Sequence, residues 1–387
     1  MESSTHTYYS RLDHLRFVAA LMVLGWHAMH NPGIVPTSNV PNFMPLSLLE
    51  EGHTGVSLFM TLSGFIFYTL CRGKRIVYGE FLRNRLLRIA PLFVVWMLFY
   101  VYTMNLDVVK IAVATFALLN NGAAPGVTWT VIVECQFYLL FPFLMAFAME
   151  RGIRYLLGLV ALLVLIRTSV WYTEGSVQAL AYVTLFGRLD QFLLGMVASE
   201  LWFRHRHALG RVWVLALVVL AWVVVYHRFN QMGGYWNNGG YPSPSPVWIV
   251  LPTLEGLFYG LIIASYLAMR LPVPRLLDAG LARLGTYSYS FYLNHLVIVT
   301  ACARICTQVG WKMNGMTDGL IFTFAVALPV LALVSAFTYH LIEAPFLELR
   351  RPYLVTPRAI PAGSGVTAIA SGGEDATHDA ARDRRRA

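Results

Sequence analysis

Long apolar segments, separated by short polar ones, fill most of this chain. Ten of them approach the ~20 residues that an α-helix needs to cross a bilayer. They lie near residues 15–30, 54–71, 90–104, 131–149, 153–172, 179–203, 212–227, 247–269, 285–303 and 319–342. The pattern therefore predicts an all-α integral membrane protein, a bundle of about ten transmembrane helices.

A further apolar run at 108–119 could form an eleventh crossing, but the distribution of basic residues favours ten. With ten crossings and a cytoplasmic N-terminus, 23 Lys and Arg residues lie on the cytoplasmic side and 4 on the outer side, while Arg167 and Arg188 lie within the membrane. An eleventh crossing would move every later basic loop to the wrong side. We therefore predict that the segment near 105–128 is re-entrant or interfacial and lies outside.

The composition changes near the C-terminus. Residues 1–351 carry the predicted transmembrane domain, whereas 352–387 are rich in Ala, Gly, Thr and charged residues. Such a segment buries too little apolar surface to fold, so we expect a disordered tail. The positive-inside rule predicts that both termini are cytoplasmic.

The overall composition agrees with a protein embedded in a lipid bilayer. Hydrophobic residues make up 57% of the chain and charged residues 13%, whereas soluble domains carry about 25% charged residues. The net charge of +9 follows from membrane topology, so we predict no nucleic-acid partner. The four cysteines show neither zinc nor Cys-X-X-Cys spacing, and we predict no metal site.

The first apolar segment contains two ionisable residues, Arg16 and His27. Eleven residues of α-helix place both side chains on one face, roughly 16 Å apart along the axis. Ionisable groups inside a membrane usually mark a functional site. The alternative is structural, with Arg16 reaching the headgroups and His27 satisfied in the interior.

Two further polar positions belong to the second apolar segment. His53 lies at its outer entrance, at the predicted depth of His27 and His30, where three histidines would suit proton transfer. Ser63 lies at mid-depth beside Gly64, and such small residues allow close helix packing.

A basic cluster, Arg83, Arg85 and Arg88, precedes the third span. Guanidinium groups bind phosphate in a bidentate manner, so the cluster suits an anionic cofactor with several phosphates, and Arg16 on the same side can contribute. Positive-inside topology alone also accounts for such a cluster.

The fourth span begins with a polar group of residues. Trp129 is predicted at the interface and Thr130 as a helix cap, which places Glu134 in the first turns. Thr130 and Tyr138 share the face of Glu134 and can form hydrogen bonds with it. A carboxylate in an apolar bundle suits proton transfer, while stabilisation by the helix dipole is its structural interpretation.

Other polar residues lie inside later spans. Arg188 and Asp190 are two positions apart and therefore on different faces, so we expect each to bond another helix. His295 follows Asn294 near mid-membrane, and Glu343 near the end of the last span is expected to pair with a cytoplasmic arginine.

The longest outside loop, 228–246, is rich in Gly, Asn, Pro, Ser, Tyr and Trp. Aromatic faces and amide groups suit sugar rings, so this loop can be a lid over a polar substrate. A plain interfacial connection is the alternative.

Seven sequence features occur together and in order over residues 10 to about 346. They are Arg16-x10-His27, GVSLFMTLSGFI, FLRNRLLRIAP, TWTVIVECQFYLLFP, RLDQFLLGM, LGTYSYSFYLNH and HLIEAP. In this combination the chain resembles the acyltransferase-3 family of bacterial membrane O-acyltransferases. Some relatives carry an additional hydrolase-like domain, and here we expect the membrane domain alone, in the bacterial cytoplasmic (inner) membrane.

The resemblance implies transfer of an acyl group, usually acetyl, from cytoplasmic acyl-CoA to a hydroxyl, most often on a carbohydrate. It also implies that Arg16 and His27 are essential and that Trp129 and Glu134 matter. Lipopolysaccharide O-antigen, exopolysaccharide, a signalling oligosaccharide and a small secondary metabolite are all possible acceptors. The sequence does not indicate an oligomeric state.

These features lead to one mechanistic hypothesis. Acyl-CoA docks against Arg16 and the Arg83–Arg88 cluster, and His27 acts as general base or as transient acyl carrier while Glu134 orients it or relays its proton. A transporter or flippase of a lipid-linked sugar, and a structural subunit of an export complex, are the competing functions.

Overall fold

The computed structural model describes residues 9–30, 43–116, 126–237, 240–311, 313 and 315–356. In chain order its helices are α1 (Ser10–Met29), α2 (Ser47–Glu50), α3 (Gly55–Cys71), α4 (Tyr78–Thr103), α5 (Val108–Phe116), α6 (Trp129–Arg151), α7 (Ile153–Glu174), α8 (Gln178–Val183), α9 (Leu185–Leu209), α10 (Val212–Gln231), α11 (Val247–Ala268), α12 (Arg275–Thr286), α13 (Ser288–Gln308), α14 (Met316–Ile321), α15 (Leu328–Thr338) and α16 (Ala344–Leu347). The last three are joined by two π-helical segments, Phe322–Ala327 and Tyr339–Glu343, into one long helix.

Long helices dominate the described part of the chain. Eight helical segments there are long and apolar enough to cross a membrane. Helices α1 and α9, of 20 and 25 residues, are as long but carry more ionisable side chains, and both pack against α3. These ten helices coincide with the ten predicted spans, so the predicted all-α membrane fold is confirmed.

Helix α5 lies in the segment that the sequence predicted to be re-entrant or interfacial. Its described part has nine residues, roughly 14 Å of α-helix, whereas a crossing takes about 20 residues. Val108, Val109 and Val113 on it are exposed. Residues 117–125, which follow α5, lie outside the described residues, so the re-entrant or interfacial course of this segment stays a prediction.

Helices α3 and α9 approach each other through glycine. A Cβ atom on Gly64 would lie 2.0 Å from the carbonyl oxygen of Phe192, and one on Gly195 would lie 2.1 Å from that of Thr61. Each helix therefore offers a glycine to the backbone of the other. The prediction that small residues beside Ser63 serve close packing is borne out by this contact.

Helix α12 was not among the predicted elements. It is a 12-residue helix between two spans, and it packs along the start of α1. The Ser10 hydroxyl donates to Asp278 over 2.9 Å, and a Cβ atom on Gly285 would lie 1.9 Å from the carbonyl oxygen of Asp13. This packing holds the first turns of α1, which include Arg16, in one position.

The chain remains ordered beyond residue 351. Strand β1 (Arg75–Ile76) pairs in antiparallel fashion with β2 (Leu354–Val355). Residues 352–356 therefore pack on the membrane domain, although the predicted disordered tail begins at 352. Residues 357–387 lie outside the described residues.

Candidate functional site

Helices α3, α4, α6 and α13 enclose a cavity of about 310 Å³, together with residues of α1, α9 and the C-terminal segment. Much of its wall is apolar, but it also gathers polar residues from distant parts of the sequence. Those are Arg16, Ser63, Arg85, Arg88, Thr130, Glu134, Tyr138, Ser288, Tyr289, Tyr292 and Arg350. Seven of the residues singled out from the sequence thus meet in one place.

The predicted phosphate-binding arginines differ in their surroundings. Arg16 forms a salt bridge with Asp13, one turn earlier on α1. Arg88 lies 2.9 Å from the buried carboxylate of Glu343, as the sequence predicted for that glutamate. Arg85 also lines the cavity. Arg83 does not line it and lies 3.5 Å from Glu80 on the outside of the same helix.

Inside the cavity, Glu134 forms a polar group with its neighbours. It accepts a hydrogen bond from the hydroxyl of Tyr138, four residues later on α6, and a longer one of 3.4 Å from Ser63. The predicted hydrogen bond from Tyr138 is therefore present. Thr130 instead donates to the backbone carbonyl of Val127 and lies 2.9 Å from the Tyr292 hydroxyl.

His27 contacts another histidine and not Glu134. Its Nδ1 lies 3.2 Å from Nε2 of His295 on α13 and 3.0 Å from the carbonyl oxygen of Val23. The His295 Nδ1 in turn faces the carbonyl oxygen of Tyr292, a residue that lines the cavity. Neither histidine lines the cavity, but the ring of His295 contacts the ring of Tyr292, with 5.6 Å between their centres, and Tyr292 lines the cavity.

The two carbonyl oxygens determine the tautomers of this pair. A carbonyl oxygen only accepts hydrogen bonds, so the nitrogen that faces it must carry the proton. His295 is then protonated at Nδ1 and has a lone pair at Nε2, which can accept from the Nδ1–H of His27. We assign His27 the same tautomer, and its Nε2 is left as the basic nitrogen.

His27, His30 and His53 are close enough to influence one another electrostatically, but their direct contacts differ. The ring centres of His30 and His53 lie 3.8 and 5.1 Å from that of Trp26, whereas His27 contacts His295. His53 is buried, and its Nε2 lies 3.1 Å from a carboxylate oxygen of Glu51. The predicted three-histidine proton-transfer site stays a prediction.

Arg188 and Asp190 belong to two separate buried ion pairs. Arg188 lies 3.3 Å from Glu255 of α11, and Asp190 lies 2.7 Å from Arg167 of α7. Each residue thus bonds another helix, as predicted. Trp129 contributes an aromatic face, with its ring centre 5.8 Å from the Arg188 guanidinium.

The loop between α10 and α11 packs on the C-terminal end of α1. The Tyr235 amide donates to Glu51 over 3.3 Å, and the Trp236 ring lies nearly parallel to that of Trp26, 6.3 Å away. Residues 238–239 of this loop lie outside the described residues. Its predicted role as a substrate lid stays a prediction.

Sequence reasoning missed Ser288, Tyr289 and Tyr292 on the cavity wall, and it missed two charged residues. Glu255 is an ionisable residue within an apolar span, which is the feature that identified Arg188, so the sequence could have indicated Glu255 as well. Arg350 follows the last span, where a basic residue is ordinary topology, and only the tertiary structure brings it to the cavity.

The helical bundle and its cavity define an integral membrane protein with arginines on the wall of a cavity between its helices. Comparison with known proteins then identifies the family. Residues 9–339 match the family described as an acyltransferase domain, and the chain belongs to the acyltransferase-3 family. The resemblance stated from the sequence motifs is therefore confirmed.

Known relatives come from two kinds of bacteria. O-acetyltransferase OatA of Staphylococcus aureus (strain NCTC 8325 / PS 47) is 24% identical over 337 residues, 77% of this chain and 53% of OatA. Exopolysaccharide production protein ExoZ of Rhizobium meliloti (strain 1021) is 23% identical over 326 residues, 79% of this chain and 92% of ExoZ. The chain thus spans about half the length of the OatA proteins. No solved structure matches it.

Proposed function

We propose that the protein transfers an acyl group, in the first instance acetyl, from acyl-CoA to a hydroxyl group of a carbohydrate. The observation that carries the proposal is a cavity that has arginines on its wall and a histidine pair beside it. An O-acetyltransferase and an exopolysaccharide production protein among the relatives support both the reaction and the type of acceptor.

The cavity suits the donor in charge and in shape. Arg16, Arg85 and Arg88 can bind the phosphates of CoA in bidentate fashion. The apolar wall can hold the acyl and alkyl parts of the pantetheine arm, while Glu134 and Tyr138 can form hydrogen bonds with its amides. Arg83 lies outside the cavity wall, so it is not needed in this arrangement.

His27 is the proposed base. Its Nε2 takes the proton of the acceptor hydroxyl while the hydroxyl oxygen attacks the thioester carbonyl, the carbon–sulfur bond breaks, and the proton passes to the leaving thiolate. In the carrier alternative Nε2 attacks the thioester carbonyl, the carbon–sulfur bond breaks and the CoA thiolate leaves. The acceptor hydroxyl then attacks the acyl-imidazolium, the carbon–nitrogen bond breaks, and the hydroxyl proton passes to the thiolate.

The contacts change one part of the hypothesis drawn from the sequence. In that hypothesis Glu134 orients His27 or relays its proton, whereas in the structure the hydrogen-bond partners of Glu134 are Tyr138 and Ser63. We propose instead that His295 orients His27 and that Glu134 acts on the donor side. The cytoplasmic orientation of the basic end remains part of this proposal and rests on the positive-inside rule.

A labelled-donor experiment tests the proposed function. Membranes with the wild-type protein should move labelled acetyl from acetyl-CoA into carbohydrate. His27→Ala should lower this transfer by at least about 100-fold, since it removes the base. The matched control is His207→Ala, an exposed histidine at the end of α9, which should retain full activity.

Each negative outcome has a separate meaning. Full transfer by the His27→Ala protein at normal protein levels would contradict both versions of the mechanism. Movement of unmodified carbohydrate without label, by contrast, would identify a transporter.

A further inference from the structure

The positive charge around the cavity is only partly balanced by carboxylates. Four guanidinium groups line the cavity, those of Arg16, Arg85, Arg88 and Arg350. Two of them, Arg16 and Arg88, have a carboxylate partner. Among the described residues, no carboxylate oxygen lies within 4.0 Å of Arg85 or Arg350. The cavity wall therefore has an excess of positive charge that suits an anion.

Arg85 also lacks a hydrogen-bond acceptor. Its guanidinium carbon lies 5.0, 5.7 and 5.9 Å from the ring centres of Phe67, Phe81 and Tyr353. Its Nε is buried and has no hydrogen-bond partner among the described residues. A buried donor without an acceptor is costly, and an anion in the cavity would supply one.

Arg350 reaches this cluster because the segment after the last helix is fixed in place. The buried side chain of Asn84 bonds both backbone groups of Arg351, accepting from its N–H over 3.0 Å and donating to its carbonyl over 2.6 Å. The Val77 amide donates to the carbonyl of Tyr353 over 2.8 Å. Residues 350–355, here called the C-terminal clamp, therefore hold a defined position.

The position of Arg350 is electrostatically unfavourable in the absence of an anion. Arg350 is exposed on one side, and partial desolvation together with the nearby guanidinium groups of Arg85 and Arg88 lowers its pKa to about 10. Guanidinium groups gathered on one cavity wall suit a phosphate ligand, which each can bind through charged hydrogen bonds. The backbone bonds of the clamp hold Arg350 there in spite of this repulsion.

We propose that the C-terminal clamp holds Arg350 at the donor site and that Arg350 binds a phosphate group of the donor nucleotide. This inference rests on the proposed function, in which the donor is acyl-CoA. CoA carries a diphosphate and a 3′-phosphate, and a guanidinium fork can bind either group. Arg350 is thus a binding residue that lies just before residue 352, where the predicted disordered tail begins.

Equilibrium binding to the purified full-length protein tests this role without knowledge of the acceptor. Isothermal titration calorimetry would measure the Kd of CoA for the wild type, R350Q, R350K and R351Q. We expect R350Q to raise the Kd for CoA about tenfold, because it removes one charged hydrogen bond. The Kd of R350K should lie between those of the wild type and R350Q. R351Q is the matched control, since the Arg351 side chain faces Glu80 at 3.8 Å and does not line the cavity.

A second ligand, 3′-dephospho-CoA, identifies the phosphate. If R350Q weakens the binding of CoA but not that of 3′-dephospho-CoA, Arg350 binds the 3′-phosphate. If R350Q weakens the binding of both ligands, Arg350 binds the diphosphate. Equal CoA binding by R350Q and R351Q would overturn the role of Arg350 while leaving the proposed donor intact. Failure of the wild type to bind CoA would instead overturn the donor itself, and the role of Arg350 with it.

Discussion

At the scale of single residues, backbone carbonyls determine which nitrogen of His27 is basic. The carbonyl of Val23 lies on the same helix, one turn earlier, so α1 by itself places a proton on Nδ1. His295, itself oriented by the carbonyl of Tyr292, provides a second acceptor for that proton. In this arrangement His295 is a positioning residue, because it acts through His27 and not on the reacting atoms.

His295→Ala should therefore lower kcat by about 10- to 100-fold and leave the KM for acyl-CoA within about twofold. The physical reason is that the imidazole of His27 loses one of its two orienting contacts while the donor cavity keeps its arginines. Steady-state kinetics with labelled acetyl-CoA measure both constants. Thr300→Ala, an exposed position on the same helix, is the control. A rise in KM with unchanged kcat would contradict the positioning role.

At the scale of elements, the contact between α3 and α9 brings two groups of site residues together. Ser63 on α3 lines the cavity, and Arg188 and Asp190 on α9 form ion pairs with α11 and α7. Because Gly64 and Gly195 meet the facing backbones directly, the two helices have no room for a side chain between them. Their separation thus determines the width of this part of the bundle.

Gly64→Ala should destabilise the protein by about 1–3 kcal/mol, because the added methyl group would collide with the backbone of Phe192. The matched control is Gly158→Ala on α7, where a Cβ atom meets nothing within 4 Å. That change should be neutral or slightly stabilising, since alanine has the higher helix propensity. Thermal unfolding in detergent distinguishes the two variants. An unchanged unfolding temperature for Gly64→Ala would show that the helices can separate freely.

At the scale of the whole molecule, the two ends of the bundle have different electrostatic character. The basic end carries the cavity arginines and the C-terminal clamp. The opposite end carries two buried carboxyl groups, Glu50 and Glu51, and burial raises the pKa of each to about 7. Glu51 also accepts a hydrogen bond from the amide of Tyr235 in the α10–α11 loop. Protonation of the Glu51 carboxyl group therefore changes the strength of a contact that holds this loop.

The raised pKa values predict a pH dependence of stability. The folded protein keeps these carboxyls protonated up to about pH 7, whereas in the unfolded chain they ionise near 4.5. Their contribution to stability is therefore full below pH 4.5, falls as pH rises towards 7 and is constant above it. Glu51→Gln mimics the protonated form and should flatten this fall and raise the unfolding temperature at pH 8.

Unfolding temperatures between pH 5 and pH 8 in detergent check this prediction. Glu150→Gln, at an exposed position, is the control and should follow the wild type. His30 and His53 lie beside Glu51, so His53→Gln would show whether their charge contributes. A Glu51→Gln protein with the same pH profile as the wild type would contradict the assignment.

Several parts of this structure follow from sequence alone. The ten long helices are predictable because each must satisfy its own backbone hydrogen bonds in lipid, which makes an apolar run of about 20 residues a strong signal. Family membership follows from motifs that are local in sequence. The amphipathic helix α12 escaped prediction because it is too short and too polar to resemble a span.

For the candidate site, too, the sequence identified some residues, whereas only the fold showed which residues lie together. Arg16 and His27 were identifiable because ionisable residues inside an apolar run are costly and therefore conspicuous. The residues that join them at the site were not identifiable, because α13 brings His295 to His27 from 268 positions away and the clamp brings Arg350 to the cavity from beyond the last span. The hypothesis that Glu134 serves His27 rested on similar depth in the membrane, and depth does not specify which helices are neighbours.

The amino-acid sequence by itself thus determined the class of fold, the number of long helices and the residues that are unusual in their setting. Each of these depends on short-range properties, namely hydropathy, helical periodicity and the energetic penalty of a charge in lipid. Only the tertiary structure decided that His27 meets His295, that Glu134 meets Tyr138 and Ser63, and that Arg350 joins Arg85 and Arg88. Those pairings depend on how the helices pack side by side, which no local pattern encodes.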